Sequence, residues 1–327
     1  MMLFAGFDEA GYGPLLGPLC VASTAFTLPQ GDPESPHDLW KSLSAGVCRA
    51  RKDRRARIAI CDSKALKGGK DSRIHPLHAL ERGVLSALAL VSGEAPRHED
   101  QLCRALCMEG ASDGEARTPA DADGESLPCA CSPEEIAVAA AMMRRACDAG
   151  GIRIAAMRCA AITPAQINAD ARRGLTKPSI PFARAAAMAV SLLDAHGGLP
   201  ARLAFDRQGG RMRYADDIRH SFDCSRLAVI REDEERSCYR FERDGRVVVA
   251  SFETCGESRH LPVALASMVA KYVRELRMAR LNRYFAAAVP GIAPTAGYVT
   301  DGRRFLAQVE PHLDALGIER SHLVRSI

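Results

Sequence analysis

Three times in this chain a short apolar run ends on an acidic residue: residues 3–8 run into Asp8 and Glu9, 57–61 into Asp62, and 203–205 into Asp206. A carboxylate at the end of a strand is carried on rigid backbone and can meet others from neighbouring strands. Clustered carboxylates repel one another, so they persist either with raised pKa values or around a cation. Hard oxygen donors in small number suit Mg²⁺ or Mn²⁺, which keep waters and substrate phosphates in their remaining positions. Two such ions about 4 Å apart can activate a water and stabilise a leaving oxygen. The plainer reading is that Asp at a strand end is often only a turn former.

The remaining pattern predicts a mixed α/β fold. Apolar runs at 3–8 and 19–26 flank a Gly/Pro-rich turn, and 57–61 reads as a third short strand. A helix is expected over 75–90. Ser132-Pro133-Glu134-Glu135 is a capping box with proline at the first helical position, opening a helix that runs to Cys147 and stops at Gly150-Gly151. Residues 153–162 read as a strand, Thr163-Pro164 as a helix start, and 182–196 as a helix closed by Gly197-Gly198. Strands follow at 203–206, 227–231, 239–243 and 247–252, the last two joined by Asp244-Gly245, a hairpin turn signal. A helix over 262–278 and a partly helical tail from Arg303 complete the reading. Strands preceding helices, with one contiguous antiparallel set, give a mixed sheet with helices on its faces.

Composition excludes several classes. The 327 residues are 47% hydrophobic and 26% charged, ample for a packed core. No apolar run reaches the ~18 residues of a membrane span. The opening Met-Met-Leu-Phe-Ala-Gly-Phe meets Asp8 and Glu9 without a basic leader or an h-region, so a cytoplasmic location is expected. Twelve cysteines without an export signal do not suggest a disulfide framework. Their one cluster, Cys103, Cys107, Cys129 and Cys131, lacks the spacing of a zinc finger or ribbon and reads as incidental loop cysteines.

The net charge of +4 hides an asymmetry. Residues 94–135 carry eleven acidic and three basic side chains, net −8, in a Gly-, Pro- and Ala-rich stretch without apolar period. It reads as a flexible surface insertion, placed at about 94–131. Residues 51–73 carry nine basic and three acidic side chains around Asp62, either a polyanion-binding patch or a solvated loop.

Gly11-Tyr12-Gly13-Pro14-Leu15-Leu16-Gly17 has neither the spacing of a dinucleotide fingerprint nor the Lys-Ser/Thr of a P-loop, and Gly68-Gly69-Lys70-Asp71 is no Walker A motif. No Gly-x-Ser-x-Gly or His-Glu-x-x-His occurs. The glycines instead suggest a turn whose backbone approaches a ligand closely.

Four segments in order carry a resemblance. Gly6-Phe7-Asp8-Glu9-Ala10-Gly11-Tyr12-Gly13-Pro14-Leu15-Leu16-Gly17-Pro18-Leu19, Cys61-Asp62-Ser63-Lys64-Ala65-Leu66, Ala266-Ser267-Met268-Val269-Ala270-Lys271 and Gly297-Tyr298-Val299-Thr300 resemble the motifs of the type 2 ribonuclease H family, ribonucleases HII and HIII. The resemblance implies a single ribonuclease H-like catalytic domain over 1–327, with a helical C-terminal part from about 262. It implies four acidic residues holding two Mg²⁺ or Mn²⁺ ions: Asp8, Glu9, Asp206 and Glu257, ten positions before Ser267. It implies substrate contacts from Gly11, Tyr12 and Gly13 at the ribose 2′-hydroxyl, from Ser63 and Lys64 near the phosphate, and from Tyr298 beneath the sugar. Asp62 is then a structural or supporting residue. The chain departs from the family at Tyr12, where Arg or Lys is usual, at Arg207-Gln208-Gly209-Gly210 after Asp206, and in the insertion.

The implied activity is endonucleolytic hydrolysis of the RNA strand of RNA–DNA hybrids, with nucleic acid as partner and nothing pointing to a membrane or a protein partner. The alternatives are a nuclease of the same fold acting on another structured nucleic acid, and a non-catalytic hybrid-binding protein. Of the remaining residues, His260 reads as a surface histidine at a helix entry, Trp40 as packing, and Arg211 and Arg213 as either phosphate contacts or ordinary exposed arginines.

Overall fold

The computed structural model describes residues 1–327 except 36, 54, 69–73, 109–123 and 208. In chain order the elements are β1 (Met2–Ala10), β2 (Leu19–Leu28), α1 (Leu39–Ser42), β3 (Val47–Cys48), β4 (Ile58–Ala59), α2 (Ser63–Leu66), α3 (His78–Ser92), α4 (Glu99–Ala105), α5 (Pro133–Gly150), β5 (Arg153–Ile162), α6 (Pro164–Arg172), α7 (Ser179–Ala195), β6 (Ala201–Asp206), α8 (Ala215–Phe222), β7 (Ser225–Glu232), β8 (Arg236–Arg243), β9 (Arg246–Glu253), α9 (Gly256–Arg259), α10 (Leu261–Ala288) and α11 (Val299–Val309).

Seven strands form one mixed sheet in the order β5-β2-β1-β6-β9-β8-β7. β1 runs antiparallel to β2 and parallel to β6, and β6 runs parallel to β9. The expected mixed α/β sheet flanked by helices is therefore present. Because side chains alternate along a strand, β1 feeds two cores. Met2 and Phe4 pack with α3, α5 and α10 on one face. Leu3, Ala5 and Phe7 pack with α7 and α8 on the other. α11 closes a third, smaller cluster with Leu16 and Phe285.

Local signals explain several boundaries. Ser132 and Glu135 form the expected capping box, and Gly151, with φ of +59°, ends α5 in the left-handed conformation that glycine adopts without strain. Thr163 and Gln166 cap α6 in the same way. Asp244 and Gly245, at φ of +51° and +73°, make the tight turn between β8 and β9. Gly6 is required by packing: a Cβ there would lie 2.2 Å from the Pro262 backbone, where α10 crosses β1. Thr24 Oγ1 donates to Pro262 O at 2.7 Å and fixes that crossing.

Three expectations need correction. The strand expected at 57–61 is only two residues long and pairs in parallel with β3, outside the main sheet. The helix expected over 262–278 continues to Ala288, because its arginines are accommodated rather than exposed: Arg274 and Arg280 are buried. The flanks of the acidic insertion also reach the core, where composition suggested surface. Leu102, Leu106 and Leu127 are buried, and buried Glu99 is paired with Arg280 at 2.7 Å. The middle of the insertion, 109–123, lies outside the described residues, as do Gln208 and the Gly69–Arg73 part of the basic stretch. Among the described residues no helix is long and apolar enough to cross a membrane.

Candidate active site

Phe7, Phe205 and Phe252 are lateral neighbours on β1, β6 and β9. Their rings stack on the α7 face, with centroids 4.3 Å and 4.7 Å apart. Each is followed by an acidic residue, which alternation sends to the opposite face. Asp8 and Asp206 thereby become electrostatic neighbours at the ends of adjacent parallel strands. Glu253, the third in this row, is hydrogen bonded to Asp206's strand as its Cα partner.

Asp8 is 8% exposed. Burial, then the charges of Asp206 and Glu9, push its pKa well above the usual carboxylate range, against the opposing hydrogen bonds of Ser267 and the Glu9 N–H. Ser267, on α10, is also hydrogen bonded to Ser63 at 3.0 Å. Ser63 is therefore buried behind Asp8 as part of a hydroxyl chain. Its neighbour Asp62 accepts from Lys64 N–H at 2.9 Å and caps α2.

Asp206 Oδ1 accepts from Gly256 N–H at 2.8 Å. Burial raises its pKa to about 7; Glu257, by charge and by a carboxyl–carboxylate hydrogen bond, adds to the rise, while the Gly256 N–H and Lys64 oppose it. The α9 turn thus delivers Glu257 to Asp206, and α2 delivers Lys64 to the same place. Of the four expected acidic residues, Asp8 feels the charges of Glu9 and Asp206, and Asp206 feels the charge of Glu257.

Glu253 stands apart chemically. It is 2% exposed, and His260 Nε2 lies 2.9 Å from its Oε1. Burial raises its pKa, but the His260 hydrogen bond and charge, with Ser251 and Arg236, outweigh that and hold it at about 2. His260, expected at the surface, is 6% exposed and packs edge-on to Phe4. The pair locks the segment between β9 and α10 from which Glu257 projects.

Of the expected substrate-contact residues, Ser63 is buried, Lys64 lies in the field of Asp206, and Gly11, Tyr12 and Gly13 follow β1 directly. β1 leads directly into the Gly11–Gly17 turn. Gly11, at φ of +89°, would bring a Cβ within 2.4 Å of Arg274 Nε. Leu15 and Leu16 N–H donate to Gly297 O at 2.8 and 3.1 Å, which joins the turn to Tyr298. The Tyr298 ring is 53% exposed and lies 6.0 Å from the buried Arg274 guanidinium. Gly13 is exposed, and the Tyr12 ring faces Lys177 Nζ at 5.5 Å.

Arg325 is a positioning residue that the sequence did not signal. It is 6% exposed and donates to Gly11 O at 2.5 Å and to Gly17 O at 2.7 and 3.1 Å. Burial, then the like charge of Arg274, depresses its pKa to about 10. Its 308-residue separation from Gly17 hides the contact from any local pattern. Of the other weighed residues, Trp40 is buried with Nε1 donating to Ile60 O at 2.8 Å, Arg211 pairs with Asp217 and lies over Tyr214, and Arg213 is exposed.

Chemically, Asp8, Glu9, Asp206 and Glu257 supply only hard carboxylate oxygens. They are partly buried, the neighbouring acidic charges raise the proton affinity of Asp8 and Asp206, and Lys64 opposes the rise at Asp206. Oxygens of this kind suit a small divalent cation; among the described residues no three of the four bring ligand atoms within 4.8 Å of one another.

No protein-family model matches the chain, and no curated protein matches it. Among solved structures it aligns with a chain of the PCNA:RNase HII complex from Archaeoglobus fulgidus at 17% identity, covering 99% of this chain and 94% of that one, with a TM-score of 0.42. It aligns with ribonuclease H2 from Pyrococcus horikoshii OT3 at 15% identity, covering 98% and 92%, with a TM-score of 0.41. It also aligns with Bst-RNase HIII in complex with Mn²⁺ at 15% identity, covering 99% of this chain and 66% of that one, with a TM-score of 0.39.

Proposed function

We propose that this chain is a divalent-metal-dependent endonuclease that hydrolyses the RNA strand of RNA–DNA hybrids. The observation that carries the reading is the parallel pairing of β1 and β6, which sets Asp8 beside Asp206 on one face of the sheet, with the α9 turn that carries Glu257 tied to Asp206 through the Gly256 N–H. Asp8, Glu9, Asp206 and Glu257 would hold Mg²⁺ or Mn²⁺. Bound there, two such ions supply Lewis-acid activation of a water and charge neutralisation at the departing 3′-oxygen.

The chain's own residues do the rest. Ser267 and the Gly256 N–H orient Asp8 and Asp206 by hydrogen bonds to the charged form. Lys64 draws a phosphate toward the cluster without neutralising it by direct contact. The Gly11–Gly13 backbone, held from beneath by Arg274 and Arg325, presents peptide groups to a ribose 2′-hydroxyl. Tyr298 offers an exposed ring on which the sugar can rest. A second reading, a nuclease for another structured nucleic acid, is favoured by Tyr12, which places a phenol where a charged phosphate contact is usual in the family resembled.

The test is a substrate panel: a uniform RNA–DNA hybrid, a duplex with one ribonucleotide and a branched DNA, each with Mg²⁺, Mn²⁺ or chelator. Metal-dependent cleavage of the RNA strand, leaving 3′-hydroxyl and 5′-phosphate ends, is expected. Cleavage of the branched DNA alone favours the second reading, and binding without cleavage of any substrate overturns both.

A further inference from the structure

Away from the acidic centre, His78, Cys131 and Glu135 bring three donor atoms of different chemistry within 4.8 Å of one another. His78 opens α3, Cys131 ends the segment that enters α5, and Glu135 lies in the first turn of α5. His78 Nε2 is 3.3 Å from Glu135 Oε1, and the Cys131 thiol donates to the His78 carbonyl at 3.3 Å.

Two of the donors are held from behind. Glu135 Oε2 accepts from Ser132 N–H at 2.8 Å, while Oε1 faces His78. Behind Cys131, the fully buried Glu81 carboxylate accepts from the N–H groups of Cys129, Ala130 and Cys131 at 2.8, 2.6 and 2.7 Å, and from the Tyr272 hydroxyl at 2.7 Å. The segment is wrapped around one carboxylate and has a fixed place. A surface His–Glu pair alone needs neither a converging thiol nor this support.

We propose that His78, Cys131 and Glu135 form a binding site for one zinc-class divalent cation, which clips the exit of the acidic insertion to α3 and α5. An imidazole, a thiolate and a carboxylate suit a borderline metal rather than Mg²⁺. Three protein ligands leave a fourth position for water. Cys129 is not among the converging donors, and its thiol points instead to Glu81 Oε1 at 3.1 Å. Cys103 and Cys107 also stand outside: Cys103 Sγ accepts from Arg277 at 3.3 Å, and Cys107 is exposed. The Glu81 and Glu135 carboxylates beside Cys131 attract a divalent cation, which on binding displaces the thiol proton to water.

The experiment titrates the full chain with Co²⁺ in the presence of excess Mg²⁺, which occupies oxygen-only sites but does not compete for a thiolate. A thiolate-to-cobalt charge-transfer band saturating at one equivalent and bleached by Zn²⁺ is expected. Cys131→Ser abolishes the band, His78→Ala and Glu135→Gln each weaken Co²⁺ binding at least tenfold, and Cys129→Ser leaves it intact. Glu135→Gln keeps the helix cap, so its effect on binding is separable from folding, and melting in chelator checks every variant. Absence of the band at about 1 mM Co²⁺, or a band that survives Cys131→Ser, overturns the proposal.

Discussion

Phe7 and Phe205 stack with ring centroids 4.3 Å apart on adjacent parallel strands, and each is followed by an aspartate. The aromatic row continues through Phe252 to Tyr214, whose rings lie 3.7 Å apart and nearly parallel. An apolar contact on one face of the sheet thus sets the register of charged groups on the other. A one-residue slip of β6 would exchange Asp206 for Phe205 on the α10 face.

The raised pKa values of Asp8 and Asp206 make the centre a source of instability without a cation. For Asp206, at about 7, the folded state holds a proton that the unfolded chain releases near the usual carboxylate value. Its contribution therefore favours folding at acid pH and declines as pH rises from about 4 through 7. Asp206→Asn should remove that slope in thermal melts with chelator, raise the melting temperature at neutral pH, and abolish cleavage. Equal pH slopes for the variant and the parent would contradict the assignment.

Gly6→Ala places a Cβ 2.2 Å from the Pro262 carbonyl carbon and Val263 N, both backbone atoms. Relief requires α10 to move off β1, so a destabilisation of about 3 kcal/mol or more is expected. Chemical denaturation of the soluble fraction measures it.

Arg325 spans two carbonyls with a planar guanidinium, a geometry that an ammonium group does not reproduce. Arg325→Ala leaves the Gly11 and Gly17 carbonyls without those donors, at a cost of about 2–4 kcal/mol. Arg325→Lys should recover less than half of it. Because the turn precedes the substrate face, both variants should raise KM for hybrid more than they lower kcat; unchanged stability and KM would remove Arg325 from this role.

Much of this arrangement was legible in sequence where the signal is local. The capping box at Ser132, the Asp244-Gly245 turn and the strand at Arg153–Ile162 follow from short-range geometry. The positions of Asp8 on β1 and of Asp206 at the end of β6 also follow from the local apolar runs, whereas Glu257 is singled out by motif resemblance alone. Misjudged features depend on partners that lie on other elements. α4 lay hidden in an acidic stretch because Glu99 is neutralised by Arg280, 181 positions away. His260 read as exposed because its partner Glu253 sits on the preceding strand, and α10 read short because Arg280 and Arg274 look like surface residues until Glu99 and Ala296 O are placed beside them.

The Glu253–His260 pair gives a separate acid signature. Glu253 is held at about 2, below its unfolded value, so its stabilisation is complete above about 4.5 and is lost as pH falls through 2. Glu253→Gln should flatten the acid limb of the stability profile between those values. It also frees the turn carrying Glu257, so cleavage should fall several-fold at neutral pH; an unaltered acid limb would contradict the pairing.

The central claim is that Asp8, Glu9, Asp206 and Glu257 share divalent cations, and anomalous diffraction from Mn²⁺-soaked crystals tests it most directly. Manganese peaks bridging the carboxylates of Asp8 and Asp206, with Glu9 and Glu257 completing the oxygen shell, are the expected result. Saturating Mn²⁺ with no peak at these oxygens would contradict it.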